Sequence, residues 1–306
     1  MPHAMMRGYV KENKMAYHKM LANLPCWCGS GKKYKRCHEA FDDKIIAAEK
    51  EGHEVPSRKL LKSAADVQGI KEAAKINMAC LDEVGKQIRV GMSTQEIDDI
   101  VARITKEMGG TCATLGFEGF PKNCCTSFND QVCHGIPSEE DILEDGDIIN
   151  VDCTTILSGY YADSSRMFLL GDVDPEWKKL SDVTKECVEI GIREAKPWRY
   201  IGDMSAEINK HARAHGYQIV EEIGGHGCGN DFHEDPFVSY VIDKGQGMLM
   251  VPGMVFTIEP MINMGERHVF VDEENDWTVY TEDGSPSAQW EVEVLITEDG
   301  CEVLCW

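Results

Sequence analysis

The stretch VDCTTILSGYYADSSRMF, residues 151–168, sets two aspartates among residues that favour burial. Ile148, Ile149 and Val151 lead into it, and Met167, Phe168, Leu169 and Leu170 lead out, so it reads as two strands flanking a turn. The turn signal is Ser158-Gly159. With those two residues as the loop, Leu157 pairs with Tyr160 and Thr154 with Asp163. Asp152 and Asp163 then lie diagonally on one face, because side chains alternate with period two. A loop moved back to Leu157-Ser158 pairs the two aspartates directly, again on one face; only an odd-length loop separates them. Two carboxylates on a half-buried face repel and lose hydration, so they need a cation. The alternative is an exposed hairpin with two solvated aspartates.

With 306 residues the chain can form one large domain or two smaller ones around a substantial core. It has no apolar run of about 18 residues, the length of a membrane span. Its start, MPHAMMRGYVKENKMAYHKM, lacks the apolar stretch of a secretory signal. Thirteen irregularly spaced cysteines, among them Cys125, Cys133 and Cys153 in apparent strands, therefore read as reduced thiols of a cytoplasmic protein. The net charge is −22, yet residues 1–50 hold ten Lys/Arg against five Asp/Glu. The acidic remainder disfavours nucleic-acid binding and favours a monomer, while a small basic module could still dock on phosphate.

Residues 40–62 read as a polar connector of helical character, stopped around Pro56. From Ser63 a helical period runs through Ile70, Ala73, Ala74, Ile76, Met78, Leu81 and Val84. A second helix begins at Ser93, whose STQE sequence matches a capping box with Glu96, and ends at Gly109-Gly110. A faint internal echo follows. GMSTQEIDDIVARITKEMGG resembles IGDMSAEINKHARAHGY, matching Ile97 to Ile208; DGDIINVDCT resembles VPGMVFTIEPM, matching Asp152 to Glu259. It implies two related halves with a site between them.

Further acidic and histidine residues sit in apolar or glycine-rich context: His134 in VCHGIP, His226 and His233 in IGGHGCGNDFHEDPF, Glu259 in VFTIEPM, and Glu291 and Glu293 in SAQWEVEVLI. Glu291 and Glu293 share a face by parity, so either could be a ligand. Each histidine alone is more often a core residue than a ligand, but together these segments point to a shared cation. Asp152, Asp163, Glu259 and Glu291, or Glu293 in its place, carry four negative charges, which two divalent cations cancel. Oxygen ligands with one imidazole suit Mn, Fe or Co better than a tetrahedral structural zinc.

These stretches, with NDQVCHGIPS, resemble type I methionine aminopeptidase over roughly residues 63–306, agreeing in order, spacing and flanks. The resemblance implies an α+β, pseudo-twofold "pita-bread" fold, which fits the echo. It implies that Asp152, Asp163, His226, Glu259 and Glu291 bind two divalent ions (Co, Mn, Fe or Zn), with Asp163 and Glu291 bridging, which settles the choice against Glu293. It implies hydrolysis by a metal-activated water, with Glu259 as acid/base and His134 and His233 contacting the substrate around the scissile amide. The substrates would be N-terminal Met peptides and nascent chains whose second residue is small. TLGFEGFPKNCC resembles the wall of the methionine pocket, so Phe117, Phe120, Cys125, Phe232 and Trp277 would surround the thioether. Many relatives have Tyr where Phe117 and Phe120 stand, which removes hydroxyls but not shape. The competing readings are a Xaa-Pro aminopeptidase-like hydrolase of the same fold and a noncatalytic ribosome-binding paralogue.

Ahead of this region, LPCWCGSGKKYKRCHEA offers Cys26, Cys28, Cys37 and His38, the ligand set of a closed structural zinc. It resembles the SEC-C motif. So small a module would hardly fold without metal. Lys32, Lys33, Lys35 and Arg36 make it basic and suggest docking to a ribosome or another acidic partner, with surface lysines on a zinc knob as the plain alternative. The organisation expected is a zinc module at 1–45, a connector at 46–62 and a catalytic domain at 63–306, with no membrane and no sequence-specific nucleic-acid partner.

Overall fold

A computed structural model of the chain describes residues 17–306. The part of the expected zinc module that falls on residues 1–16, and the stretch expected to lack a secretory signal there, lie outside the described residues. Among the described residues there are five α-helices: α1 (Glu39–Lys50), α2 (Ala64–Gln87), α3 (Thr94–Glu107), α4 (Pro175–Glu194) and α5 (Ile201–Ala214). α3 starts where its capping box places it: Ser93 Oγ accepts the Glu96 N–H at 3.2 Å, and the Glu96 carboxylate accepts the Ser93 N–H at 2.9 Å. It stops before Gly109, which takes φ +84°. α2 has a second such box, Ser63 with Asp66. The expected apolar stripe of α2 is buried except Met78, which is half-buried. Beside it, buried Asn77 donates to the Ala162 carbonyl at 3.0 Å and to that of Cys153, fixing the helix on the sheet.

The strands Ile148–Leu157 and Tyr160–Leu169 form the hairpin in the first of the two expected registers, with Leu157 opposite Tyr160 and Thr154 opposite Asp163. Ser158 and Gly159 take φ of +53° and +86°, the left-handed pair that matches the twist of a tight hairpin. The other edge of Ile148–Leu157 is covered in two pieces, by Thr111–Cys112 and Cys125–Phe128. A five-stranded sheet runs in the order Cys301–Cys305, Val292–Ile296, Val255–Ile258, Gly225–Gly227, Glu234–Val238. The two sheets meet where Ser165 and Glu291 exchange backbone hydrogen bonds at 3.3–3.4 Å.

The echo corresponds to this architecture. α2 and α3 pack together against the first hairpin, and α4 and α5 pack together beside the second group of strands. Ile97 and Ile208 are both fully buried. The connector differs from expectation in one respect: its helix, α1, ends at Lys50 rather than near Pro56, because Gly52 takes φ +89° and closes the last turn. α1 runs across residue 45, and Ile45 and Ala48 are buried in the main core. Phe41 meets Trp198 edge-on at 5.2 Å, so the N-terminal region is docked on the body. All thirteen cysteines are free thiols. Among the described residues no helix is long and apolar enough to cross a membrane.

Candidate active site and cysteine–histidine cluster

Where the two halves meet lies a cavity of about 670 Å³. Asp152 and Asp163 reach it from the hairpin, His226 from the strand Gly225–Gly227, Glu259 from the end of Val255–Ile258, and Glu291 from the crossing point of the sheets. Asp163, His226 and Glu291 present ligand atoms all within 4.8 Å of one another. Asp152 and Glu259 line the same cavity outside this tightest group. His226 can stand so close because its neighbours are glycines: a Cβ on Gly227 would lie 2.1 Å from the Asp235 carbonyl oxygen.

The hydrogen bonds orient these groups. His226 Nδ1 lies 3.0 Å from the Gly227 carbonyl, which can only accept, so Nδ1 carries the proton. The Nε2 lone pair then faces Asp163 at 3.7 Å and Glu259 at 3.6 Å, the tautomer a metal ligand needs. Thr257 donates to one Glu259 oxygen at 2.6 Å and Gln289 to the other at 3.0 Å; Thr154 donates to Asp163 at 2.9 Å. Glu291 Oε2 is buried with no donor.

Among the described residues no Lys or Arg lines the cavity to offset these four carboxyls. Burial pushes Asp152 up to about 7 and Glu259 up to about 8. Burial, reinforced by the neighbouring carboxylates, raises Asp163 and Glu291 well above the usual range. Burial holds His134 and His226 neutral, pushed down to about 4, and His233 to about 2. A carboxyl-rich, cation-free cavity with one donor-less buried oxygen and one pre-oriented imidazole fits divalent metal ions.

Beside the carboxyls the cavity is aromatic. Phe117 packs on Phe232 at 4.7 Å, and Phe120 meets Trp277 edge-on at 5.1 Å; Cys125 completes this wall. His233 sits between the two regions, its ring 4.2 Å from His226 and 5.1 Å from Phe117, with Nδ1 buried and unpartnered. His134 lines the same cavity with φ +56°, a left-handed backbone that non-glycine residues seldom adopt. All twelve cavity residues named from the sequence thus share one cavity.

Glu293, open by parity, does not line it. It is fully buried with both carboxyl oxygens unpartnered, and burial pushes it up to about 8. Thr154, Thr257 and Gln289 were not picked out, although each stands two residues from a chosen carboxylate and so shares its face. The buried pair of Lys62 and Glu234, at 2.6 Å, was also missed. Glu234 accepts the N–H groups of Asn230 and Asp231 as well, holding the loop that carries Phe232 and His233. No local pattern signals a contact between residues so far apart in sequence.

Near the start of the described chain, Cys26, Cys28, Cys37 and His38 converge. His38 Nδ1 lies 3.2 Å from the Cys26 and Cys37 sulfurs, and Cys28 and Cys37 sulfurs lie 3.6 Å apart. Ligands around a tetrahedral zinc are about 3.5–3.8 Å apart, so four such groups need little movement to enclose one. Gly29 and Gly31, at φ +74° and +72°, make the turn that brings the first two cysteines back towards the last pair. Lys32, Lys33, Lys35 and Arg36 are all exposed.

Comparison with known proteins agrees. Residues 68–298 match the model of metallopeptidase family M24, and residues 23–40 match the SEC-C motif. Methionine aminopeptidase of Chlamydia pneumoniae is 39% identical over 288 residues, covering 93% of this chain and 98% of its own. Methionine aminopeptidase A of Synechocystis is 43% identical over 245 residues, covering 80% and 96%. The crystal structure of methionine aminopeptidase from Rickettsia prowazekii superposes with a TM-score of 0.79 at 36% identity, covering 80% of this chain and 99% of that one. The chain belongs to metallopeptidase family M24, as a methionine aminopeptidase of pita-bread fold that carries an N-terminal SEC-C motif.

Proposed function

We propose that the protein removes the N-terminal methionine from peptides and nascent chains whose second residue is small. One observation carries this reading: the carboxyl and imidazole groups stand at one end of a cavity whose other wall is Phe117, Phe120, Cys125, Phe232 and Trp277, a lining suited to a thioether. Asp152, Asp163, His226, Glu259 and Glu291 would hold two divalent cations. Manganese, iron, cobalt and zinc all suit the donor set. Once bound, the cations activate water and act as Lewis acids towards the carbonyl.

The chain's own groups do the rest. Neutral His233 donates an N–H to the developing oxyanion, and neutral His134 orients the scissile amide. Glu259, oriented by Thr257 and Gln289, takes a proton from the attacking water and returns it to the leaving amine. The tight approach to His134 restricts the second residue. The four-ligand cluster supports a structural zinc in a module at 1–45, joined through a connector at 46–62 to the catalytic domain at 63–306, with α1 bridging the first two. The exposed basic side chains of the module suit docking on ribosomal phosphate. Ten cysteines outside the cluster, none in a disulfide, fit a reducing, cytoplasmic setting, and the acidic body fits a monomer.

The test is peptide hydrolysis after chelation and re-addition of single ions. Release of methionine from Met-Gly peptides, dependent on metal and absent with Gly-Pro peptides, is expected. The opposite preference establishes the Xaa-Pro reading, and no hydrolysis with any ion establishes the noncatalytic one.

A further inference from the structure

Away from the cavity, α4 and α5 pack side by side, and three potential ligands meet on their outer surface. Glu186 comes from α4; His211 lies in the last turn of α5, and His215 caps it. The two histidines are four residues apart, so they rise from one face of the helix. Their rings are 4.8 Å apart, and His211 Nε2 lies 2.7 Å from Glu186 Oε2. The three ligand atoms lie within 4.8 Å of one another, close to the span of neighbouring ligands around one ion. None of them lines the catalytic cavity, and none belongs to the cysteine–histidine cluster.

We propose that Glu186, His211 and His215 form a further divalent metal site, of the two-imidazole, one-carboxylate type, that braces α4 to α5. Several features select the ion. Two imidazoles and one carboxylate suit Zn²⁺, Cu²⁺ or Ni²⁺ over Mg²⁺ or Ca²⁺. Both histidines sit at the C-terminal end of α5, where the helix carries partial negative charge that favours a cation. The surrounding protein is strongly acidic, at −22. Three protein ligands leave the remaining positions to water, so the ion exchanges readily with free metal. In its absence Glu186 and His211 bond each other directly and already hold the geometry. An ion that binds only when both helices are in place stabilises the folded chain by an amount that grows with the logarithm of its free concentration above Kd.

The experiment uses the full chain with its other metal sites loaded, titrated with Cu²⁺ in wild type, His211→Ala/His215→Ala and Glu186→Gln. Bound copper is counted by elemental analysis after dialysis, and nitrogen coupling is read by electron paramagnetic resonance. Wild type is expected to bind one copper more than the double-histidine variant, with two coupled nitrogens, and to gain thermal stability that the variant does not. Glu186→Gln should weaken this copper by more than the roughly 10–100-fold that loss of an outer-shell partner costs. Methionine release should be equal in all three proteins, which separates this site from the catalytic one. Equal copper stoichiometry in wild type and the double-histidine variant, or a wild-type spectrum without two coupled nitrogens, overturns the proposal.

Discussion

Glu259 shows how one side chain is tuned by its surroundings. Thr257 and Gln289 each donate to one of its oxygens, and burial makes its charged form costly, so its carboxyl hovers near neutrality. Glu259→Gln keeps the shape but removes a ligand charge and the proton carrier, and it faces the Gln289 donor with an amide. Turnover of metal-loaded Glu259→Gln should fall by at least the ~10²–10⁴-fold typical of a general acid/base; near-normal turnover would refute the role. Lys62 makes a second case. Its side chain is 1% exposed and bound to Glu234, so Lys62→Met leaves a largely buried carboxylate without its cation. Urea unfolding should show a loss of about 3–5 kcal/mol, with Lys62→Met/Glu234→Gln losing less; equal loss in both argues against uncompensated charge. The first of these residues was legible in the sequence, because a carboxylate ending a β-branched run is locally anomalous. Lys62 was not, because its partner is 172 positions away and nothing near Lys62 is unusual.

At the level of elements, local rules were most readable where the backbone itself supplies the signal. The Ser158-Gly159 turn fixed the hairpin register, and with it the diagonal placement of Asp152 and Asp163. The capping box set the start of α3. The end of α1 was misplaced because Pro56 is the louder breaker, while the left-handed turn at Gly52 closes the helix first. That helix bears on how far the zinc module stands alone. Cys26→Ser should lose one zinc, since three ligands no longer close the site. The damage should stop at α1, because Ile45 and Ala48 are buried in the body's core and Asp42 is held by Arg58 at 2.6 Å. Hydrogen exchange should therefore speed up over residues 23–38 and stay slow through α1, with peptide cleavage unchanged. Loss of cleavage with the catalytic metals present would mean that the module acts on the site.

The molecule as a whole brings two similar halves together and places acidic groups from both in one buried cavity. The echo pointed to this arrangement, since it aligned Asp152 with Glu259, whereas the crossing of the sheets at Ser165 and Glu291 has no counterpart in any local pattern. Such an assembly stores charge that only a cation offsets, and pH should reveal it. In the unfolded chain the carboxyls titrate at about 3.9 and 4.3. In the folded, metal-free protein Asp152 is raised to about 7 and Glu259 to about 8, with Asp163 and Glu291 also raised. Raised folded-state values mean that the folded form holds protons the unfolded form has released. The stability they lend is complete below about pH 4 and drains away as pH climbs towards 8. Bound cations remove the need for those protons and prefer the ionised carboxylates, so their contribution grows over the same window. The difference in melting temperature between metal-loaded and chelated protein should therefore widen from pH 5 to pH 8. Asp163→Asn/Glu291→Gln, which removes two of the four charges, should flatten that slope; a gap independent of pH in the wild type would show that the four carboxyls do not titrate as a buried cluster.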